Sequence, residues 1–200
     1  MRVADPALHE RRRTEILEAA ARVFIEKGFH QATTADLAKE AGVSMGLLYR
    51  YFKNKEDLVL QFAGRERDET LRRIEAFAEA DDWASSLDGL IDVLVAEAFQ
   101  VEYARLTFEV VAEASRNQVL RERLMADDLT LRRALTAALR RHQARSTLGA
   151  GLNAAMVAEV VTALFDGLLY RTLMNPQVNR SALRKTLKAF LQAALTTGPT

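Results

Sequence analysis

Apolar residues recur at three- and four-residue spacing through almost every window of this chain and almost nowhere alternate, a pattern that helices satisfy and strands do not. Ile16, Ala19, Ala20, Val23 and Phe24 share one face, and Gly28 follows as a C-terminal stop. The spacing predicts a first helix over roughly 8–27, with Asp5-Pro6 an earlier start signal. Thr33-Thr34-Ala35-Asp36 has the form of a capping box, with Asp in place of the usual Glu or Gln. It opens a second helix over 34–41, with Leu37, Ala38 and Ala41 inward, and Gly42 ends it. Ser44 then caps a short third helix reaching about Tyr51. After Lys53-Asn54-Lys55 a longer helix, with Leu58, Val59 and Phe62 inward, runs to the late 70s.

Ala80 to Ser86 is the clearest internal break. Beyond it the periodicity predicts helices near 86–103, 105–115, 118–146, 153–174 and 181–196. Gly149-Ala150-Gly151 separates two of them. Asn175-Pro176 stops another, because proline lacks a backbone N–H and disfavours helix in the residue before it. Gly198-Pro199 leaves a frayed tail. No 20–50-residue repeat interrupts this plan, and nine Gly and three Pro in 200 residues suit long elements. The expected fold class is all-α.

Composition narrows what such a chain can do. Apolar residues make up 49 % and charged residues 28 %, the profile of a chain with a packed core rather than a disordered one. There is no Cys, which excludes disulfides, thiolate nucleophiles and Cys-based zinc sites. His9, His30 and His142 lie far apart and show no metal-ligand spacing, so neither a metal nor a cofactor is expected. The N-terminus is charged, with no apolar stretch of signal-peptide length. The longest apolar stretch, Ala154 to Leu169, is broken by Glu159 and Asp166, too short and too charged to span a bilayer. The expectation is a soluble, cytoplasmic protein.

A net charge of only +1 hides local excesses. Residues 44–55 hold Arg50, Lys53 and Lys55 with no acid, and five basic residues follow Gly167, again with none. Either block is a solvated helix face or a surface for a polyanion, and its setting decides which. Two short helices joined by Ala41-Gly42-Val43-Ser44 match a helix-turn-helix. On a helical wheel Met45, Gly46, Tyr49, Arg50 and Lys53 fall on one arc, and Leu47, Leu48, Tyr51 and Phe52 on the other. The first arc suits a major groove. Gly46 lets the backbone approach, Arg50 can donate two hydrogen bonds to guanine O6 and N7, and Met45 can touch a thymine methyl. The Tyr49 and Tyr51 hydroxyls can reach phosphate, and so can Lys55 at the start of the fourth helix.

With Gly28-Phe29, Thr33, Leu37-Ala38, Ala41-Gly42-Val43-Ser44, Gly46, Leu48-Tyr49-Arg50-Tyr51-Phe52 and Lys55-Glu56-Asp57-Leu58, residues 10–62 resemble the N-terminal signature of TetR/AcrR-type transcriptional regulators. The resemblance implies a helix-turn-helix DNA-binding domain over 1–60 and a helical effector-binding and dimerisation domain over 61–200. It also implies a homodimer whose last two long helices form a four-helix bundle, a palindromic operator in double-stranded DNA, repression, and release by a small-molecule effector. Ser44, Met45, Gly46, Leu47, Tyr49, Arg50, Tyr51 and Lys55 occupy the family's contact positions. Thr33 and Thr34 sit where it touches phosphate. Met45 departs from the Lys or Arg frequent at its position, which shifts base reading onto Arg50.

The body carries fewer signals. Met156, Val160, Ala163, Leu164, Gly167 and Leu168 form one stripe, and Leu183, Leu187, Phe190, Leu191 and Ala194 another. Such stripes are either core or interface, and the resemblance favours interface. Phe77, Trp83, Phe99, Tyr103, Phe108, Met125, Phe165 and Tyr170 are candidates for an apolar effector pocket or for plain core. Of these, Phe99, Tyr103, Phe108, Met125 and Phe165, with Glu109, form the expected ligand set. Glu109 and Glu113 share a face suited to a cation, Arg105 suits an anion, and His142, between Arg141 and Gln143, is expected at the surface. An enzyme would need a nucleophile or acid–base pair in a cleft, and no Gly-x-Ser-x-Gly or phosphate loop is present. A helical adaptor binding only protein would not require the cluster from Arg50 to Lys55.

Overall fold

The structure, a computed structural model, describes residues 6–145, 148–149, 151–175 and 177–197. Among them the backbone forms α1 (Pro6–Gln31), α2 (Thr34–Glu40), α3 (Met45–Tyr51), α4 (Lys55–Glu79), α5 (Trp83–Ala98), α6 (Val101–Ala114), α7 (Gln118–Ala144), α8 (Ala154–Met174) and α9 (Arg180–Thr197), and no strand. The all-α expectation holds. Ala150, Pro176 and Gly198-Pro199, expected to break helices, lie outside the described residues.

The helices build two compact units. One comprises the described residues up to Arg65 together with Arg105–Leu124; the other comprises Glu66–Ala104 and the described residues from Met125 onward. α4, α6 and α7 therefore each contribute residues to both.

In the first unit, Ile16, Leu17, Ala20, Val23 and Phe24 of α1 meet Leu37 and Ala38 of α2, Leu48 of α3, Phe52, and Leu58 and Val59 of α4. α2 and α3 have seven residues each, far below the length at which an isolated helix is stable in water. They depend on this burial, about 1.5–3 kcal/mol for each large side chain, and on their caps. The turn between them is set by Gly42 at φ 63°. Val43 N–H reaches back to the Ala38 carbonyl at 3.0 Å and Gly42 N–H to Lys39 at 3.1 Å, closing a Schellman turn that a side chain at that φ would strain.

The second unit is organised around Ile74 and Phe77 of α4, Leu87, Ile91 and Val95 of α5, Phe99, Ala138 and Leu139 of α7, and Leu191 and Leu195 of α9. The expected break at 80–86 is only Ala80–Asp82, because the Asp82 side chain accepts the Ser85 N–H at 3.1 Å and starts α5 at Trp83. His142 corrects a second expectation. It is 0 % exposed, and its Nε2 lies 2.8 Å from the Phe77 carbonyl oxygen, to which only an N–H can usefully point. Its polar sequence neighbours concealed that it shares a face with Ala138 and Leu139.

Candidate nucleic-acid interface and body cavity

α3 presents its two arcs as the wheel divides them. The Ser44 hydroxyl accepts the Leu47 N–H at 3.2 Å and fixes the first turn. Leu48 and Phe52 point into the core, each 2 % exposed, while Met45, Gly46, Tyr49, Arg50 and Lys53 are all exposed. A Cβ added at Gly46 would meet nothing within 4 Å, so the backbone there is open to close approach. Leu47 and Tyr51 are half-buried, and the Tyr51 ring stacks on His9 of α1 with centroids 4.6 Å apart.

The remaining expected contacts divide. Thr33 is spent on its own helix: Asp36 N–H donates to Oγ1 at 3.1 Å, and the Thr33 hydroxyl donates to Asp36 Oδ2 at 2.7 Å. Donor and cap acceptor are both committed within the helix start, where the neighbouring Thr34 is half-buried. The Lys27 ammonium, with Thr33, holds the Asp36 carboxyl well below the usual carboxylate range. Lys55 turns inward: Nζ donates to the Phe29 and Ala32 carbonyls at 2.8 and 2.9 Å and lies 4.6 Å from the centre of the Phe29 ring. Its side chain secures the end of α1 rather than reaching outward, a partnership that no spacing rule reveals.

The second unit holds an apolar cavity of about 50 Å³. Only Phe, Leu, Ile and Val side chains line it, among them Phe77, Leu87, Leu94, Leu135, Val161 and Phe165. Of the expected ligand set, Phe165 is there. Phe99 is buried in the same core but lies under the Arg180 guanidinium, 5.0 Å from the ring centre. Burial pushes the Tyr103 hydroxyl above its ordinary pKa. Met125 is 63 % exposed. Phe108 and Glu109 pack with the first unit, because α6 passes from one unit to the other after Ala104. These residues therefore do not all line that cavity. Aromatics drew the reading, whereas leucines make most of the wall.

Glu109 accepts the Phe29 N–H at 3.0 Å, and Glu113 lies 3.0 Å from His30 Nε2. Among the described residues no group of three His, Cys, Asp or Glu is placed to hold a metal ion. The stripes on α8 and α9 also split. Leu164, Leu168, Leu187 and Leu191 line the cavity, whereas Met156, Val160, Ala163, Gly167 and Phe190 stay exposed, Met156 and Phe190 at 57 % each. Tyr170 and Met174 extend the exposed apolar face of α8. Among the described residues no helix is long and apolar enough to cross a membrane.

Residues 16–62 match the family model described as bacterial regulatory proteins, tetR family, and residues 85–196 match the one described as BetI-type transcriptional repressor, C-terminal. The chain is 26 % identical over 185 residues to the HTH-type transcriptional regulator UidR of Escherichia coli K12, spanning 92 % of this chain and 93 % of UidR. To the HTH-type transcriptional regulator TtgR of Pseudomonas putida it is 29 % identical over 170 residues, 82 % of this chain and 81 % of TtgR. The solved structure of Salmonella enterica GusR matches with a TM-score of 0.74 at 26 % identity, covering 92 % of this chain and 96 % of GusR. Bacillus subtilis FadR, solved in complex with stearoyl-CoA, gives 0.75 at 24 % identity, covering 94 % and 99 %, a likeness of fold.

Proposed function

The chain belongs to the TetR family of helix-turn-helix transcriptional regulators, and from that premise we propose that it is a repressor that binds a palindromic operator as a homodimer and leaves it when a small molecule occupies its body. The observation that carries this reading is the division of α3 into a buried apolar face and an exposed face of Met45, Gly46, Tyr49, Arg50 and Lys53. An exposed face of that make-up, on a helix held by a tight turn, suits the major groove. Arg50 reads guanine, Met45 meets a thymine methyl, and Ser44, Leu47, Tyr49 and Tyr51 complete the contacts. Thr34 touches phosphate beside the first N–H groups of α2. The functional division proposed is 1–60 for DNA and 61–200 for effector and dimer, with 105–124 packing onto the DNA-binding head.

The exposed apolar faces of α8 and α9 support a helix–helix dimer seam. The apolar cavity supports an effector site, and the wall admits only apolar parts of a ligand, since it offers no hydrogen-bonding partner. α4 links the two functions because Leu58 and Val59 belong to one core and Ile74 and Phe77 to the other. An effector that prefers the DNA-incompetent state by about 1–3 kcal/mol weakens operator binding 5–150-fold.

The test is selection of bound duplexes from a random pool, followed by a screen for compounds that release the protein. Paired half-sites about 34–36 Å apart support the reading. Single unpaired half-sites refute the dimer, and no enrichment refutes DNA binding.

A further inference from the structure

We propose that Glu109 is a positioning residue for DNA binding: its carboxylate, seated on a break in α1, ties α6 to the segment that leads into the helix-turn-helix. The proposal rests on the DNA-binding function proposed for α3.

α1 leaves helical geometry at Gly28, with φ 76° and ψ 157°. The Phe29 N–H thereby loses the carbonyl one turn back, and a buried N–H without an acceptor is costly. Glu109 Oε2 takes it at 3.0 Å. The backbone conformation calls for glycine here. The positive φ strains any side chain, and a Cβ would come within 3.3 Å of the same Oε2. Phe29 itself is 4 % exposed and packs on Phe24. On its other side Lys55 of α4 holds the Phe29 and Ala32 carbonyls. One turn further along α6, the buried Glu113 lies 3.0 Å from His30 Nε2, to which the Arg116 guanidinium donates at 2.8 Å, so Glu109 alone of the two carboxylates accepts a hydrogen bond from α1 here.

The residues after His30 give this grip its consequence. Ala32 runs directly into Thr33, the cap of α2, and Lys27, just before the break, pairs with Asp36 at 2.7 Å. The Schellman turn then sets α3 from α2. A shift of Glu109 is handed on through hydrogen bonds and a tight turn, with no flexible linker to absorb it. α6 is one unbroken helix, and its first turn belongs to the second unit while Glu109 belongs to the first. The carboxylate is thus placed to report the state of that helix to α1.

The chain's single tryptophan, Trp83, sits in the second unit and packs against its core, where it serves as a spectroscopic reporter that needs no effector. The experiment adds an operator duplex, recovered by selection, to full-length protein and monitors Trp83 emission and acrylamide quenching. In the wild type, operator binding changes the Trp83 signal. Glu109→Ala binds the operator about tenfold more weakly, the loss of one charged hydrogen bond, and at saturation its Trp83 signal no longer changes. Glu109→Gln, whose amide oxygen accepts the same N–H, restores both to within about threefold. A second measurement does not depend on the alanine variant folding: exchange of the wild-type Phe29 amide slows about tenfold on operator binding. Wild-type behaviour of Glu109→Ala, a glutamine variant as impaired as alanine, an unresponsive Trp83 in the wild type or an unchanged Phe29 exchange rate overturns the proposal. A protein that enriches no duplex overturns the DNA-binding reading beneath it.

Discussion

The Lys27 ammonium lies 2.7 Å from the Asp36 carboxylate, so the charge that closes the α2 cap is itself tied to α1. The pair is solvent-exposed, yet it gives α2 a definite pH dependence. A carboxyl whose folded pKa is depressed contributes its full stability above the unfolded value, about 3.9, and loses it as pH falls toward the folded value. Wild type and Asp36→Ala should therefore differ most in urea midpoint at pH 6 and converge steadily below about pH 4. A gap that stays constant from pH 6 to pH 3 would contradict this.

Thr33 and Thr34 should separate cleanly. Thr33→Ala removes a helix cap and should cost about 0.5–2 kcal/mol of stability, while the salt dependence of DNA binding stays as it was. Thr34→Ala should leave stability within about 0.5 kcal/mol and weaken all sequences alike. Paired denaturation and binding curves distinguish the two, and a Thr33 variant of unchanged stability would refute the cap assignment.

Arg50→Ala should cost about 1–3 kcal/mol per half-site and relax preference at one base pair. Lys55→Ala should behave differently, because its ammonium holds two carbonyls at the end of α1. It should lower the denaturation midpoint and leave the salt slope of DNA binding unchanged. A slope flattened by about one unit per subunit would return Lys55 to the phosphates.

Phe190→Asp should dissociate the dimer while helix content persists. A carboxylate forced into a dry helix–helix seam loses its hydration without gaining a partner, at a cost of several kcal/mol. In the monomer Phe190 is exposed, so the substitution should be tolerated there. Sedimentation at unchanged circular dichroism decides, and a variant that still runs as a dimer removes α9 from the seam.

Val161→Phe places a ring in the apolar cavity of the second unit. Overpacking should cost about 1–3 kcal/mol of stability and leave operator affinity unchanged. Compounds that release the wild type should fail on this variant. Release at wild-type concentrations would locate the effector elsewhere.

The head was readable from sequence because its signals are local. Gly42, Ser44 and the alternation of Leu48 and Phe52 with Tyr49 and Arg50 each specify geometry within four residues, and together they define the helix-turn-helix. What escaped depends on partners distant in the chain. Lys55 meets a carbonyl 26 residues away, Glu109 an amide 80 residues away, and His142 a carbonyl 65 residues away. Periodicity assigns a side chain to a face but not to a neighbour. The lining of the body cavity escaped for a related reason. Aromatic residues suggested the wall, whereas the space lies among leucines on α5, α7, α8 and α9, each an ordinary core residue by its own helix's pattern.

That leucine-lined space has a bearing on how sharply any visitor can be told from its chemical cousins. A wall without a donor or acceptor weighs apolar molecules by size and shape, and one methylene more or less changes the balance by about 1–3 kcal/mol, or 10–200-fold. A hydroxyl carried against such a wall finds no partner, which disfavours it by about 10²-fold against a methyl of the same shape. The cavity sorts by bulk and by apolar character, so the compounds it tolerates should form an apolar homologous series with an optimum length.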